Sequence, residues 1–183
     1  MTAFGLSASA GLNAYIPLLV VGVIAHYSNW ITLNPPFDIL ANPWVLIVVG
    51  ILLIIEMLAD KIPAVNHIND IIQTGVRPAA GAIIFAASAH AITNVHPVIA
   101  IICGLLVSGS VHVVKSAAVR PAVTATTGGA ANIPVSIAED VVATGVSILS
   151  IVVPVLVIVV LIVFVSLVIW WFWRRARRNC QVG

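Results

Sequence analysis

Long apolar stretches, separated by short polar interruptions, run along most of the chain. Residues 44–55 hold no charged side chain, and neither do the thirty-three residues 141–173. A helix that crosses a membrane needs about 20 predominantly apolar residues, each rising about 1.5 Å along the axis. The pattern therefore predicts helices that span a membrane.

Prolines, glycines and polar residues divide these stretches into about six predicted membrane segments. Gly11 and Pro17 weaken the helix in the first segment, and Pro154 kinks or divides the last. The predicted fold class is therefore an all-α integral membrane protein with broken or re-entrant helices. The segments are 2–27, 43–61, 79–93, 98–118, 119–140 and 141–173, with 28–42 as a loop and 62–76 as a polar connector.

The segment 119–140 is only weakly hydrophobic, although eighteen consecutive residues in it carry no charge. Gly128, Gly129 and Pro134 interrupt any helix there. Non-helical backbone at membrane depth has to be buried in protein or face a water-filled cavity. A re-entrant pair of half-helices and a poor full span both fit this segment.

Short stretches in the two halves of the chain resemble each other. Residues 7–17 resemble residues 124–134, with Asn13 and Asn132 at similar places. Chance explains this likeness as well as an internal repeat does, and repeats are typical of transporters with broken helices around a midplane site. The two asparagines either line a pore or cap half-helices.

Composition supports a membrane domain and excludes several partners. Of the 183 residues, 61% are hydrophobic and 8% are charged, against roughly 25% charged residues in a soluble domain. We predict a single transmembrane domain at 1–178 and a short tail at 179–183. Four of the eight basic residues lie at 174–178, which leaves the rest of the chain near charge balance and argues against nucleic acid as a partner.

Positive charges also predict an orientation. The loop 28–42 contains no Lys or Arg, whereas basic residues follow the second and fourth segments. Because Lys and Arg favour cytoplasmic loops, we place the loop 28–42 outside the cell and the basic residues inside. The arginine-rich stretch 174–178 is expected inside as well, so we expect an even number of crossings and both termini in the cytoplasm.

The chemistry of the chain is expected to lie in its intramembrane charges. Glu56 and Asp60 end an apolar run and lie one turn apart on one helix face. Charge at membrane depth is costly unless it is paired or hydrated, so it indicates function. The candidate polar site consists of Glu56, Asp60, Lys61, Asp70, Arg77, His112, Lys115, Arg120, Glu139 and Asp140.

Three interpretations of these charges remain open. They form a pathway for an ion or small solute, with carboxylates that take up a proton or cation. Alternatively, they are structural ion pairs in an accessory subunit of a larger membrane complex. A third interpretation is an enzyme that acts on lipid headgroups, with basic residues that bind phosphate and a His or carboxylate as base.

Motifs of known chemistry are missing from the sequence. There is no HExxH zinc motif and no P-loop, and Gly128-Gly129 lacks the strand and helix of a dinucleotide site. We therefore assign no catalytic residue, metal or cofactor, and favour a non-enzymatic role. A chain of about six spans has little room for its own pathway, so we expect a homo-oligomer or a subunit of a membrane complex, in contact with membrane lipid.

Five phrases resemble a widespread family of bacterial membrane proteins catalogued only as a domain of unknown function. They are residues 6–18, 59–63, 76–78, 112–115 and 139–140. The likeness covers nearly the whole chain to about residue 150. It implies a single-domain, multi-pass protein of the bacterial inner membrane and carries no activity that could be transferred.

Overall fold

The computed structural model describes residues 1–28, 31–33, 35–60, 63–90 and 96–179. Within these ranges all regular structure is helical, which confirms the predicted all-α class. The α-helices are α1 (Thr2–Leu12), α2 (Tyr15–Tyr27), α3 (Pro43–Ala59), α4 (Pro63–His90), α5 (Pro97–Val114), α6 (Arg120–Thr127), α7 (Asn132–Val152) and α8 (Pro154–Asn179). A 3-10 turn covers Phe37–Ala41, and a π-turn, Lys115–Val119, joins α5 to α6.

Three of the described stretches are long and apolar enough to cross a membrane. They are Ile71–Ala89, Pro97–Thr127 and Asn132–Val152. Shorter apolar helices cover Tyr15–Tyr27, Pro43–Ala59 and Val160–Trp171. The number of crossings stays a prediction.

The predicted breaks fall close to their expected places. The first segment is divided at Asn13, between α1 and α2, because the Asn13 backbone is extended. Pro17 lies inside the first turn of α2, where its missing N–H costs no hydrogen bond. Gly128, with φ of 62°, ends α6 in a left-handed conformation, and Pro154 begins α8.

The prediction of a polar connector at 62–76 was wrong. From Pro63 onward these residues belong to α4, which continues through Pro78 to His90. Their polar side chains repeat every fourth residue, as Asn69, Gln73 and Arg77, and all three are buried. Polarity in this stretch marks a helix face that bonds to other helices.

Helix α1 lies at the centre of the packing and contacts α4, α5 and α7. Residues 7–11 of this helix, Ser-Ala-Ser-Ala-Gly, are all small, which lets neighbouring backbones approach closely. Ser7 Oγ donates to the carbonyl of Gly104 at 2.8 Å, and Ser9 Oγ donates to that of Ala143 at 2.8 Å. Polar contacts between small residues therefore hold this helix in place.

Helices α4 and α5 also meet at small residues. A Cβ added to Gly81 would lie 2.2 Å from the Cβ of Ser108, and one added to Gly104 would lie 2.4 Å from the carbonyl oxygen of Gly81. Ser108 Oγ donates to the carbonyl of Arg77 at 2.7 Å. This contact fixes α4 against α5 beside the charged side chains described next.

Candidate functional site

Among the described residues, six charged side chains from five elements converge in one place, which we call the ionic cluster. Its members are Glu56, Asp60, Arg77, Lys115, Arg120 and Glu139. They come from α3 and the residue after it, α4, the π-turn, α6 and α7. The three acids and three bases alternate in space, so each charge faces at least one of opposite sign.

The deepest pair of the cluster is Glu56 with Arg77. Arg77 Nη2 lies 2.9 Å from Glu56 Oε1, and the two side chains are 0% and 1% exposed. Gln73, one turn before Arg77 on α4, is also buried and lies near the hydroxyl group of Tyr15 from α2. The polar face of α4 therefore faces both α2 and α3.

Asp60 is the hub of the cluster. Its Oδ2 lies 2.9 Å from Arg120 Nη2, 3.8 Å from Arg77 Nη2 and 4.0 Å from Lys115 Nζ. The amide of Asn69 donates to Asp60 Oδ1 at 2.7 Å. Three cations therefore surround a single carboxylate oxygen.

The π-turn explains how Lys115 and Arg120 reach the same carboxylates. Residues five apart on an α-helix point about 140° away from each other, whereas a π-turn closes with a bond from residue i+5 to residue i. Here the Arg120 N–H bonds to the Lys115 carbonyl. Lys115 Nζ then lies 2.7 Å and Arg120 Nη2 3.6 Å from Glu139 Oε2.

The break between α1 and α2 borders the ionic cluster. Lys115 Nζ donates to the carbonyl of Leu12, the last residue of α1, at 3.0 Å. Asn13 Oδ1 accepts from the backbone N–H of Tyr15 at 3.1 Å and from that of Ile16 at 3.2 Å, in the manner of a side chain that caps a helix. Its amide donates to Asp140 Oδ1 at 3.0 Å and so ties this break to α7.

His112 extends the polar contacts along α5. Its Nδ1 lies 3.4 Å from Arg77 Nη1, and its Nε2 lies 3.2 Å from Thr74 Oγ1. Because a guanidinium group can only donate, Nδ1 accepts this hydrogen bond. A neutral imidazole would then carry its proton on Nε2 and donate to Thr74.

Five predicted positions remain: Lys61, Asp70, Gly128, Gly129 and Asn132. Lys61 is outside the described residues, and of Asp70 only the backbone, within α4, is described. Gly128 and Gly129 form the turn between α6 and α7, and Asn132 bonds with Thr124 at the surface of the chain. The structure does not bring these three into the ionic cluster, and their role as pore-lining residues stays a prediction.

Burial also changes what the basic residues indicate about membrane topology. Arg77 and Lys115 are buried, and Arg120 is half-buried. All three are held by carboxylates, so they do not report which loops face the cytoplasm. The predicted orientation therefore rests on the arginine-rich stretch 174–178.

Several buried polar atoms of this region have no hydrogen-bond partner among the described residues. They include Glu56 Oε2, Gln73 Oε1 and Arg77 Nε. A buried polar atom without a partner is costly, so it calls for a water, a proton or a ligand. Among the described side chains, no group of three or more His, Cys, Asp or Glu could hold a metal ion.

Four polar residues around these charges escaped the sequence analysis: Tyr15, Asn69, Gln73 and Ser136. A signal existed for Asn69 and Gln73, because they precede Arg77 at helical spacing of four residues. None existed for Tyr15 and Ser136, which meet their partners through the tertiary fold. Ser136 Oγ donates to Asp60 Oδ2 at 3.4 Å.

Comparison with known proteins gives a family and no activity. No curated protein and no solved structure matches the chain. One family model matches residues 1–174. The chain therefore belongs to the family described as the domain of unknown function DUF4126.

Proposed function

We propose that this chain is a multi-pass membrane protein that carries an ion or small solute through the region of the ionic cluster. The observation that carries the proposal is a buried cluster of alternating charges, set beside helix breaks and containing polar atoms that have no hydrogen-bond partner among the described residues. Buried ionisable groups in membrane proteins mark ion and proton pathways.

Outward-facing side chains support the membrane location. Along α3 the exposed residues include Ile47, Ile51, Ile54 and Leu58, and α8 exposes apolar side chains in the same way. Such continuous apolar surface is compatible with lipid and unfavourable in water. The arginine-rich stretch 174–178 supports a cytoplasmic C-terminal end, and the bacterial inner membrane with a cytoplasmic N-terminus stays a prediction.

Helix interruptions around the cluster support a pathway. The α1–α2 break leaves the Leu12 carbonyl to accept from Lys115, and the π-turn replaces regular α-helix at Lys115 itself. Free backbone groups at broken helices are the usual ligands of ions and substrates in transporters. Glu56 is the carboxylate best placed for proton coupling, because it is the most buried carboxylate of the ionic cluster and one of its oxygens has no hydrogen-bond partner among the described residues.

The balance of charge in the cluster favours a second candidate, an accessory subunit of a membrane complex. Three carboxylates face three cations, as expected of ion pairs that lock helices together. The exposed apolar face of α8 would then contact another chain. Purification at fixed stoichiometry with a second membrane protein, in mild detergent, would favour this candidate.

Flux across liposomes tests the transport proposal. Purified protein in liposomes should dissipate a pH gradient or an ion gradient faster than empty liposomes do. Glu56→Gln should slow this flux at least about tenfold, because it removes the charge and keeps the size of the side chain. Asp38→Asn, an exposed carboxylate on the 3-10 turn, is the matched control and should leave flux unchanged. Flux no faster than in empty liposomes, for proton, potassium, chloride and phosphate gradients alike, would exclude the proposal.

A further inference from the structure

The cations around Asp60 outnumber the carboxylates that remain without it. Glu56 is the closest carboxylate to Arg77, at 2.9 Å, and Glu139 is the closest to Lys115, at 2.7 Å. Arg120 lies closer to Asp60, at 2.9 Å, than to Glu139, at 3.6 Å. Asp60 therefore supplies the one negative charge that completes the balance of the cluster.

The hydrogen-bond donors around Asp60 have the arrangement of an oxyanion site. Arg120 Nη2 and Ser136 Oγ point at one carboxylate oxygen, and Asn69 Nδ2 points at the other. Arg77, fully buried and 3.8 Å from the same carboxylate, has an Nε without a hydrogen-bond partner among the described residues. Two arginines and one lysine thus lie within 4.0 Å of this carboxylate, and guanidinium groups suit carboxylate and phosphate oxygens.

The position of Asp60 in the chain differs from that of the cations. It follows the last residue of α3, and α4 begins at Pro63, so Asp60 belongs to the short connector between two helices. Arg77 and Arg120 lie on helices, and Lys115 lies on the π-turn. Rotation of the Asp60 side chain about its own Cα–Cβ bond would withdraw the carboxylate and leave the cations in place.

We propose that the Asp60 carboxylate occupies an anion-binding site of the protein. The ligand of this site is a small oxyanion, a carboxylate or a phosphate, which binds there when it replaces the Asp60 side chain. Arg120, Lys115 and Arg77 bind the charge of the ligand, and Ser136 and Asn69 bind its oxygens. This inference rests on the proposed transport function, to which it adds the class of solute.

Binding of inorganic phosphate and of acetate tests the site. The measurement is the anion-dependent rise in unfolding temperature of purified protein in detergent, relative to chloride at equal ionic strength. Asp60→Asn should bind phosphate with a dissociation constant at least about tenfold lower than that of the wild type. In the wild type the Asp60 carboxylate is tethered at the site with an effective concentration of millimolar or higher, so it competes with phosphate, and the substitution removes this competition. Asp38→Asn, outside the cluster, should behave as wild type.

A second variant protects the test against misfolding of the first. Asp60→Ala leaves space for a free anion, so acetate should restore its stability where chloride does not. Adding Arg120→Gln to either variant should abolish the response to both anions. If both variants fold and neither responds to phosphate or acetate beyond chloride, the inference is wrong.

A third measurement shows whether the oxyanion is a free solute or the headgroup of a lipid. Dihexanoyl phosphatidic acid presents the same phosphate group on a short-chain lipid. Stronger protection of Asp60→Asn by this lipid than by phosphate would identify a lipid headgroup as the ligand, and the reverse would identify a free solute. Flux of protons or cations without anion binding would refute the anion site and leave transport standing. Anion binding without flux in liposomes would support the anion site and refute the proposed transport function.

Discussion

Replacing Arg77 by methionine tests whether the ionic cluster holds the helices together. Arg77 is 0% exposed and makes the 2.9 Å contact with Glu56 that joins α4 to α3. Arg77→Met preserves much of the side-chain volume but leaves the Glu56 carboxylate buried without its closest cation. Breaking a buried pair by removing one partner costs about 3–5 kcal/mol, and we expect a loss of unfolding free energy in that range.

The double variant shows how much of the loss of unfolding free energy comes from the broken ion pair and how much from the changed volume of the two side chains. Replacing a buried ion pair by apolar residues of similar size is often neutral. Glu56→Leu combined with Arg77→Met should therefore cost less than the sum of the two single variants, by about 2–3 kcal/mol. The remaining cost would come from Asp60, which loses a cation at 3.8 Å.

Unfolding in mixed micelles provides the measurement. Sodium dodecyl sulfate is titrated into protein in mild detergent, and helicity and tryptophan fluorescence report the transition. Arg174→Met, an exposed arginine on α8 that lies 5.0 Å over the Trp170 ring, is the matched control and should change the unfolding free energy by no more than about 1 kcal/mol. A cost below about 1 kcal/mol for Arg77→Met, or strict additivity in the double variant, would refute the reasoning.

The same unfolding assay checks two further predictions. Gly81→Ala should destabilise the chain by about 1–3 kcal/mol because its Cβ would lie 2.2 Å from that of Ser108, whereas Gly75→Ala, with no atom within 4 Å of its Cβ, should be neutral or stabilising by up to about 1 kcal/mol; equal effects would contradict the close packing of α4 on α5. Asn13→Ala should cost about 1–2 kcal/mol, because α2 loses its cap and Asp140 loses an amide donor; an unchanged transition would show that Asn13 is dispensable.

The course of α4 shows where reading the sequence fell short. Residues 62–76 are polar, and Pro78 follows them, so a connector was the natural prediction. A proline removes one N–H and favours a helix boundary at the residue before it, but tertiary contacts override that preference here. Arg77 bonds to Glu56, and Asn69 bonds to Asp60, so the polar face of α4 is satisfied inside the protein.

The candidate site was predicted in part. Charge at membrane depth identified Glu56, Asp60, Arg77, Lys115, Arg120 and Glu139, and the structure brings all six together. Their pairing was beyond the sequence, because it depends on which helices are neighbours. The π-turn is the clearest case, since it alone turns Lys115 and Arg120 toward the same carboxylates.

The sequence by itself determined the type of secondary structure, the helix breaks and the charged residues of interest. Runs of apolar residues require helices, because a helix satisfies its own backbone hydrogen bonds without help from solvent. Glycine and proline positions indicated where those helices break, and rare charges indicated where chemistry would lie. These signals are local, so each is legible in a short stretch of chain.

The tertiary structure alone decided how the charges combine. Asp60 becomes a hub because α4, the π-turn, α6 and α7 approach it from different directions, over sequence separations that no local pattern encodes. Electrostatic energy depends on distances of a few ångströms, and only packing of the helices sets those distances.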